Sequence, residues 1–471
     1  MSRYFDQLFR LPTLRLAIIG LILAASGCNH YTPQALPATQ IPEAFNNITD
    51  TQAGKETQWQ LVPLTQWWQV FGSPELNQLF TELELNNFDL KTAAISLRQA
   101  SAMYAQQRSN NWPTLDTSIN NRNGISFDNG SHNHSNTASI NAGYNVDLWG
   151  QRDAENSSAA MALVAQQESY RSTVLQMRAQ LAQTYLNTLA LREREEIAQQ
   201  NLNAGTNLFK LIELRFEAGI ASRIELDQQR NVLLNSQAQL HTLQRNRVTS
   251  ERALAILLGR ASIVASDIQG MFTQIKTPNI SPLQPAALLE TRPDIAIAEA
   301  YLREQEANVY VQRKKRWPRL NLSANVNLSN LADINQGWSG NLVEGLTMPI
   351  FNAGNIKQQI AYAEGGLEKA QLGYQLTVLK AFSDTLETLS EWQHQARLQP
   401  IREQELANNR QLYSLARLRY EAGDTDFLTL LAAQRSWFNA RDSHIQARHQ
   451  HLQAAVNVYR AMGGKLNYMG E

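Results

Sequence analysis

The chain has 471 residues with 42 basic and 42 acidic side chains, so it has no net charge to hold a polyanion, and a nucleic-acid role is disfavoured. Hydrophobic residues make up 43% of it and mean hydropathy is slightly negative, which leaves Leu16 to Ala25 as the one concentrated apolar stretch. That stretch is about half the roughly 20 residues that a spanning helix needs, and the single cysteine, Cys28, rules out an internal disulfide.

The N-terminal segment carries Arg3, Arg10 and Arg15, then the short apolar run, then the small residues Ala25, Ser26 and Gly27. This is the layout of a secretory signal peptide over residues 1–27 and implies export. Cys28 follows directly, where the peptide would be cut, and the arrangement resembles a bacterial lipobox whose thiol is acylated. Lipid chains add about 0.8 kcal/mol per buried methylene, so several on one cysteine anchor firmly. The bland alternative is a small hydrophobe near a cleavage site.

Laid over itself, the chain repeats. Arg215-Phe216-Glu217-Ala218-Gly219 recurs as Arg419-Tyr420-Glu421-Ala422-Gly423, and Trp112-Pro113 recurs as Trp317-Pro318. Asp89-Leu90 recurs as Asp294-Ile295, and Thr173-Val174-Leu175 as Thr377-Val378-Leu379, with every offset 204 or 205 residues. A nearly constant offset at several places marks a duplicated unit.

Each copy reads as a helix, two strands, a very long helix, a tight turn and a returning helix. Pro74 suits the first turn of the opening helix, which is expected to run on to Asn111 and stop at Trp112-Pro113, because the residue before proline is pushed out of the helical region. Then the period changes to two. Ala138, Ile140, Ala142, Tyr144 and Val146 alternate with Ser139, Asn141, Gly143 and Asn145; Leu320, Leu322, Ala324, Val326 and Leu328 alternate with Asn321, Ser323, Asn325 and Asn327. Two readings stay open at this point, a soluble sheet packed on helices and a membrane barrel with lipid outside and water within.

From Gln151 to Ala218 there is no proline, which at 1.5 Å per residue extends roughly 100 Å. Gly219 closes the helix, Ser222 caps the next, and Leu226, Leu233 and Leu240 recur every seven residues as in a coiled coil. Gly423 and Asp424 repeat the turn, while Pro400 should kink or interrupt the second long helix. The divisions are therefore a signal peptide (1–27), a lipidated arm and equatorial segment (28–73), a first repeat (74–259), an equatorial linker (260–284), a second repeat (285–464) and a tail (465–471). Two copies supply only four strands, which cannot close, and an open edge in lipid leaves unpaired backbone groups costing several kcal/mol each. Neighbouring chains must complete the barrel; two would give eight strands, three would give twelve with a lumen.

At this point the motifs resemble those of the outer membrane factors of tripartite efflux pumps, the TolC-like family, in its lipoprotein (NodT-type) branch. Trp67-Trp68, Phe71, Pro74, Leu76, Leu79, Asn87, Asp89-Leu90, Ala93 and Arg98-Gln99-Ala100 look like its opening signature. Asp147-Leu148-Trp149-Gly150, Arg292-Pro293-Asp294-Ile295 and Pro349-Ile350-Phe351-Asn352-Ala353-Gly354 resemble later ones, in order over nearly the whole mature chain. The resemblance implies an α+β membrane protein: a homotrimer with a twelve-stranded outer-membrane β-barrel, continued by a long periplasmic α-helical barrel, lipid-anchored in a Gram-negative outer membrane. It implies a passive gated efflux duct with no cofactor, docking a periplasmic adaptor (membrane fusion protein) and an inner-membrane pump of the RND or another class. By the same likeness the turns Ala218-Gly219-Ile220 and Ala422-Gly423-Asp424 match adaptor-contacting tips, and Tyr420 matches a tyrosine of the closed gate. A family aspartate that rings the constriction falls at Ala432 here.

Asp424 and Asp426 near the tip have two readings: carboxylates around a narrow mouth, or Asp424 as cap of the returning helix with Asp426 complementing its dipole. Arg215 and Arg419 are expected to tie neighbouring helices to glutamates. His132 and His134, between the first two strands, read as a solvated loop, and His444, His449 and His451 as positions on a polar helix; no metal site is expected. No nucleophile elbow, phosphate loop or zinc spacing appears, so no enzyme is expected. Two other functions stay open, a pore-free coiled-coil envelope lipoprotein and the exit duct of a protein or peptide secretion system.

Overall fold

A computed structural model describes residues 31–37, 64–125, 127–128, 130–262, 267–278, 280, 288–329 and 337–463. The segment 1–27 expected to be a signal peptide, Cys28 and the tail expected at 465–471 lie outside the described residues. The chain forms two compact units, and each draws on both sequence copies: Met1–Ala38, Ser96–Gln167 and Ile297–Gln375 in one, Thr39–Ile95, Glu168–Ala296 and Leu376–Glu471 in the other.

The first unit holds one antiparallel sheet of four strands in chain order: β1 (Thr114–Ile125), β2 (His132–Val146), β3 (Arg319–Leu328) and β4 (Trp338–Thr347). The central pair joins the two copies, with Ile140 opposite Val326 and Asn141 opposite Asn325. In β2 and β3 the period-two pattern sorts the side chains by face as expected, while in β4 Glu344 falls on the apolar face beside Leu342 and Val343 on the polar one. Leu115, Ile119, Ile140, Leu342 and Leu346 fall on one face, and that face is bare, with Ile119 73% and Leu342 72% exposed. A soluble sheet would bury such a face under helices; this one does not, which leaves the membrane reading. His132 opens β2, so the expected loop is shorter than the pattern suggested, and His134 Nδ1 lies 2.5 Å from Asn123 Oδ1 on the paired strand.

At the ends of the strands the Trp-Pro stops acquire partners. The Trp149 and Trp317 rings lie 4.9 Å apart, and Trp149 Nε1 donates to the Pro318 carbonyl at 2.7 Å. Asp147 caps the first long helix, its carboxylate accepting from the backbone amides of Gln151 and Arg152 at 2.9 Å each. In the same unit the segment 31–37 is tied down by Glu306, which accepts from the Gln34 amide at 2.6 Å and from the Tyr31 hydroxyl at 3.4 Å.

The long helices are α3 (Gln151–Glu217) and α7 (Asn355–Glu421), each of 67 residues. The expected break at Pro400 does not occur: α7 runs through it. Proline removes one amide donor to the Ala396 carbonyl, but the helix is held there from the side. In the second unit the neighbouring Gln399 accepts through Oε1 from His451 Nδ1 at 2.6 Å, and Trp392 lies 6.2 Å from the same imidazole. The returning helices α4 (Arg223–Leu257) and α8 (Phe427–Ala461) are 35 residues each.

The opening helix differs from its expected form. It is two helices, α1 (Pro74–Asn86) and α2 (Phe88–Ser109), broken at Asn87. Asn87 is 2% exposed; its side chain accepts from the Leu90 amide at 2.9 Å and donates to the Leu257 carbonyl at 2.8 Å, closing the C-terminal end of α4. The second copy breaks at the corresponding Arg292, between α5 (Leu288–Thr291) and α6 (Pro293–Lys314). Arg292 donates to the Ala461 carbonyl at 2.9 Å, again at the end of the returning helix, and also meets Asp294 at 2.8 Å and Asp384 at 2.9 Å. Gly463, with φ of 77°, tucks under this break so closely that a Cβ there would sit 2.5 Å from the Thr291 carbonyl oxygen; Gly259 does the same against Asn86 at 2.8 Å. Around this joint lies the main core of the second unit. Trp67 stacks on Tyr459 at 5.3 Å and Trp68 on Phe80 at 4.1 Å, over Leu76, Leu83, Tyr185 and Leu254. The Trp67-Trp68-Phe71 motif is thus an aromatic plug of large apolar area.

Candidate functional site

Two surfaces bear on a duct: the polar face of the sheet and the two helix turns. The turns are built alike. At the first, the Gly219 amide reaches Phe216 O at 2.9 Å and the Ile220 amide reaches Arg215 O at 2.8 Å, a reversal that needs the positive φ (74°) of Gly219. Ser222 then caps α4 in a full capping box with Glu225. At the second, the Gly423 amide reaches Tyr420 O at 3.1 Å and the Asp424 amide reaches Arg419 O at 2.8 Å.

The cap of α8 is Asp426, not Asp424 as the sequence suggested. Its Oδ1 accepts from the Thr429 amide at 2.7 Å, and that hydrogen bond holds its carboxyl below the usual aspartate range. Asp424 stands in the turn itself, 74% exposed, with Oδ2 3.9 Å from Arg419 Nε. The backbone decides this: the reversal after Gly423 leaves two further residues before the first helical turn, so only Asp426 has its carboxylate over the free amides.

Tyr420 is 6% exposed and packs edge-on against Phe427 at 6.0 Å. Arg215 crosses from α3 to it: the guanidinium carbon lies 4.6 Å from the ring centroid, and Nη1 donates to the Tyr420 carbonyl at 3.3 Å. Burial pushes the Tyr420 hydroxyl pKa up, and the Arg215 charge pulls it back. The expected Arg215–glutamate and Arg419–glutamate ties are thus replaced by an Arg215–Tyr420 contact and an Arg419–Asp424 approach. Arg215 is the residue that sequence reasoning undervalued. Its signal was the repeat itself, which sets an arginine five residues before each turn's second glycine-flanking residue and leaves only structure to choose its partner.

Beneath the turns, Leu208, Ile212, Leu226, Tyr413, Phe427 and Leu430 form a separate core, with Tyr413 stacked on Trp437 at 4.7 Å. Apolar side chains also face outward here: Ile220 is 68% exposed, Ile224 69%, Leu418 64% and Leu428 60%. Ala218, Gly219, Ile220, Ala422 and Gly423 all lie in this exposed stretch. Ala432 is exposed on the second turn of α8, so no carboxylate stands there.

The three histidines of α8 are packed, not solvated. Burial lowers the pKa of each, His449 to about 4, and His451 is 7% exposed. Among the described residues no group of three or more metal-ligating side chains converges, and no helix is long and apolar enough to cross a membrane.

Comparison with known proteins agrees with this geometry. A family model described as outer membrane efflux protein matches residues 79–260 and 285–464, once on each copy. The chain is similar to the pyoverdine export outer membrane protein OpmQ of Pseudomonas putida, at 32% identity over 95% of this chain and 97% of that one. It is similar to OpmQ of Pseudomonas aeruginosa at 33% over 85% and 87%. The fold matches a crystal structure of CusC with a TM-score of 0.81 at 21% identity, over 93% of this chain and all of that one.

Proposed function

The chain belongs to the outer membrane efflux protein family and is an outer-membrane channel component of an efflux system; from that premise we propose that three copies close one barrel and that the helix turns form its gated, adaptor-docking end. The observation that carries the first part is the sheet. Its four strands leave β1 and β4 with unpaired edges, while one face of it is apolar and exposed. In lipid each unpaired backbone group costs several kcal/mol, so the edges must pair with other copies. Twelve strands then enclose a lumen, whereas eight would be filled by their own side chains.

At the turns, exposed Ile220, Ile224, Leu418 and Leu428 are apolar surface awaiting partners, either the neighbouring copies or a periplasmic adaptor, the latter meeting Ala218, Gly219, Ile220, Ala422 and Gly423. Tyr420, held by Arg215, and the exposed Asp424 are the gate residues, with Asp426 beside them fixed by its capping bond. An inner-membrane pump supplies the energy. Cys28 carries the lipid anchor.

Purified protein in a planar bilayer should give discrete conductance steps; a folded trimer that stays silent would sink the duct reading and leave the envelope tether. The cargo is a small molecule, drugs or other toxic compounds in the first instance. Two relatives named for pyoverdine export favour a second reading, in which the cargo is a pyoverdine-like secreted compound. A deletion strain separates these: raised susceptibility to dyes and antibiotics marks the first, loss of the exported compound with unchanged susceptibility the second. Lost protein secretion alone would point to a peptide exporter.

A further inference from the structure

The strand register places side chains of very different size in successive rows on the polar face of the sheet. One row reads Asp116, Asn141, Asn325, Asn341 across the four strands. The adjacent rows are mostly small, with Ser118 and Ser139 on one side and Gly143 and Ser323 on the other. Asp116 and Asn341, at the two ends of the row, are exposed, and Asn141 and Asn325 between them are half-buried. They are also knit together: Asn325 donates to Asn141, and Asn141 donates to Ser139, which pairs with Ser118 at 2.7 Å. Asn325 Oδ1 is buried without a protein partner, an acceptor left over within the row.

We propose that this row is a permeation belt of the barrel, a hydrogen-bonding girdle with one carboxylate per chain that favours cationic and amide- or hydroxyl-bearing solutes over anions. The inference rests on the closed-barrel reading above. It follows from three features. The row lies on the face opposite Leu115, Ile140 and Leu342, hence on the water side if those meet lipid. Asp116 makes no ion pair among the described residues, so its charge acts on whatever passes. The nearest arginine on the same strand face, Arg122, is six residues along β1, about 20 Å away, too far to neutralise it. Amides both donate and accept, so the remaining three positions replace lost hydration for polar solutes without imposing a sign. Because barrel strands tilt, three copies would give three slanted segments around the lumen.

The belt is tested by cysteine chemistry on the full-length protein in outer-membrane vesicles, with the labelled peptide identified by mass spectrometry so that Cys28 does not interfere. Asn141→Cys, directly opposite Asp116, should react with water-soluble methanethiosulfonates, and faster with the cationic reagent than with the anionic one. Adding Asp116→Asn should lower that cation-to-anion rate ratio about three- to fivefold, as expected for one charge roughly 6 Å away in screened water. Leu342→Cys, on the opposite face, should be protected. An unchanged ratio at a reactive Asn141→Cys would overturn the belt and leave the barrel standing. A protected Asn141→Cys with a reactive Leu342→Cys would overturn the barrel orientation itself, and the belt with it.

Discussion

His449 couples the fold to acid. It sits on α8, 2.8 Å from Gln453 Nε2 and 6.4 Å from the Phe272 ring, with Arg194 near enough to oppose a second positive charge. Burial, then Arg194, lowers its pKa from 6.5 to about 4. The unfolded chain therefore takes up a proton near pH 6.5, and the folded chain does not until about pH 4. Between those values the unfolded state binds more protons, so stability falls as pH falls. A shift of that size corresponds to about 3 kcal/mol lost in full below pH 4. His444 and His451 shift in the same direction and add to the slope. Thermal unfolding of the detergent-solubilised protein, followed by circular dichroism at pH 7.5, 5.5 and 4.5, should show the wild type losing more of its Tm than His449→Gln, which keeps an amide for Gln453. Equal losses in the two proteins across that window would refute the burial of a neutral imidazole at this position.

Other perturbations follow from the same geometry. Arg292→Met leaves the Ala461 carbonyl and the Asp294 and Asp384 carboxylates without their shared cation; with those acids half-exposed the cost should be about 2–3 kcal/mol, read as a lowered Tm. Asp384→Asn, which removes one of several partners, should cost much less. Gly463→Ala drives a Cβ to within 2.5 Å of Thr291 O at positive φ and should destabilise by about 1–3 kcal/mol, whereas Gly205→Ala, inside α3 with nothing within 4 Å of the new atom, should stabilise slightly. Asp426→Ala should lower Tm more than Asp424→Ala, and its effect should vanish as pH drops through the depressed carboxyl pKa, since that bond contributes only while the carboxylate is charged. Cys28→Ser should abolish acyl labelling in cells grown with labelled fatty acid; retained label would refute the anchor.

What was legible in the sequence was what depends on neighbours along the chain. The alternation in β2 and β3, the Trp-Pro stops, the proline-free run of α3, the glycine turns and the Ser222 cap are set by backbone sterics and by hydrogen bonds within a few residues. The duplication showed itself as a constant offset. Tertiary contacts overrode local rules elsewhere. Pro400 does not break α7, because packing by Trp392, Gln399 and His451 holds the helix across the missing bond. Asn87 does break the opening helix, because its amide is drawn to the Leu257 carbonyl 170 residues away.

At the candidate site the division is the same. The glycines and the acidic residues of the turns were visible by composition, but which aspartate caps α8 depended on the path of two turn residues, and Arg215's choice of Tyr420 depended on where α7 ends. The sequence alone determined the repeat and the two-faced strands, and it set the expectation of other chains, since four strands cannot satisfy their own edges in lipid. Only the tertiary structure decided that the apolar face stays bare and which polar side chains share the row with Asp116. The physical reason is register: alternation assigns a residue to a face, but pairing between distant strands assigns its neighbours.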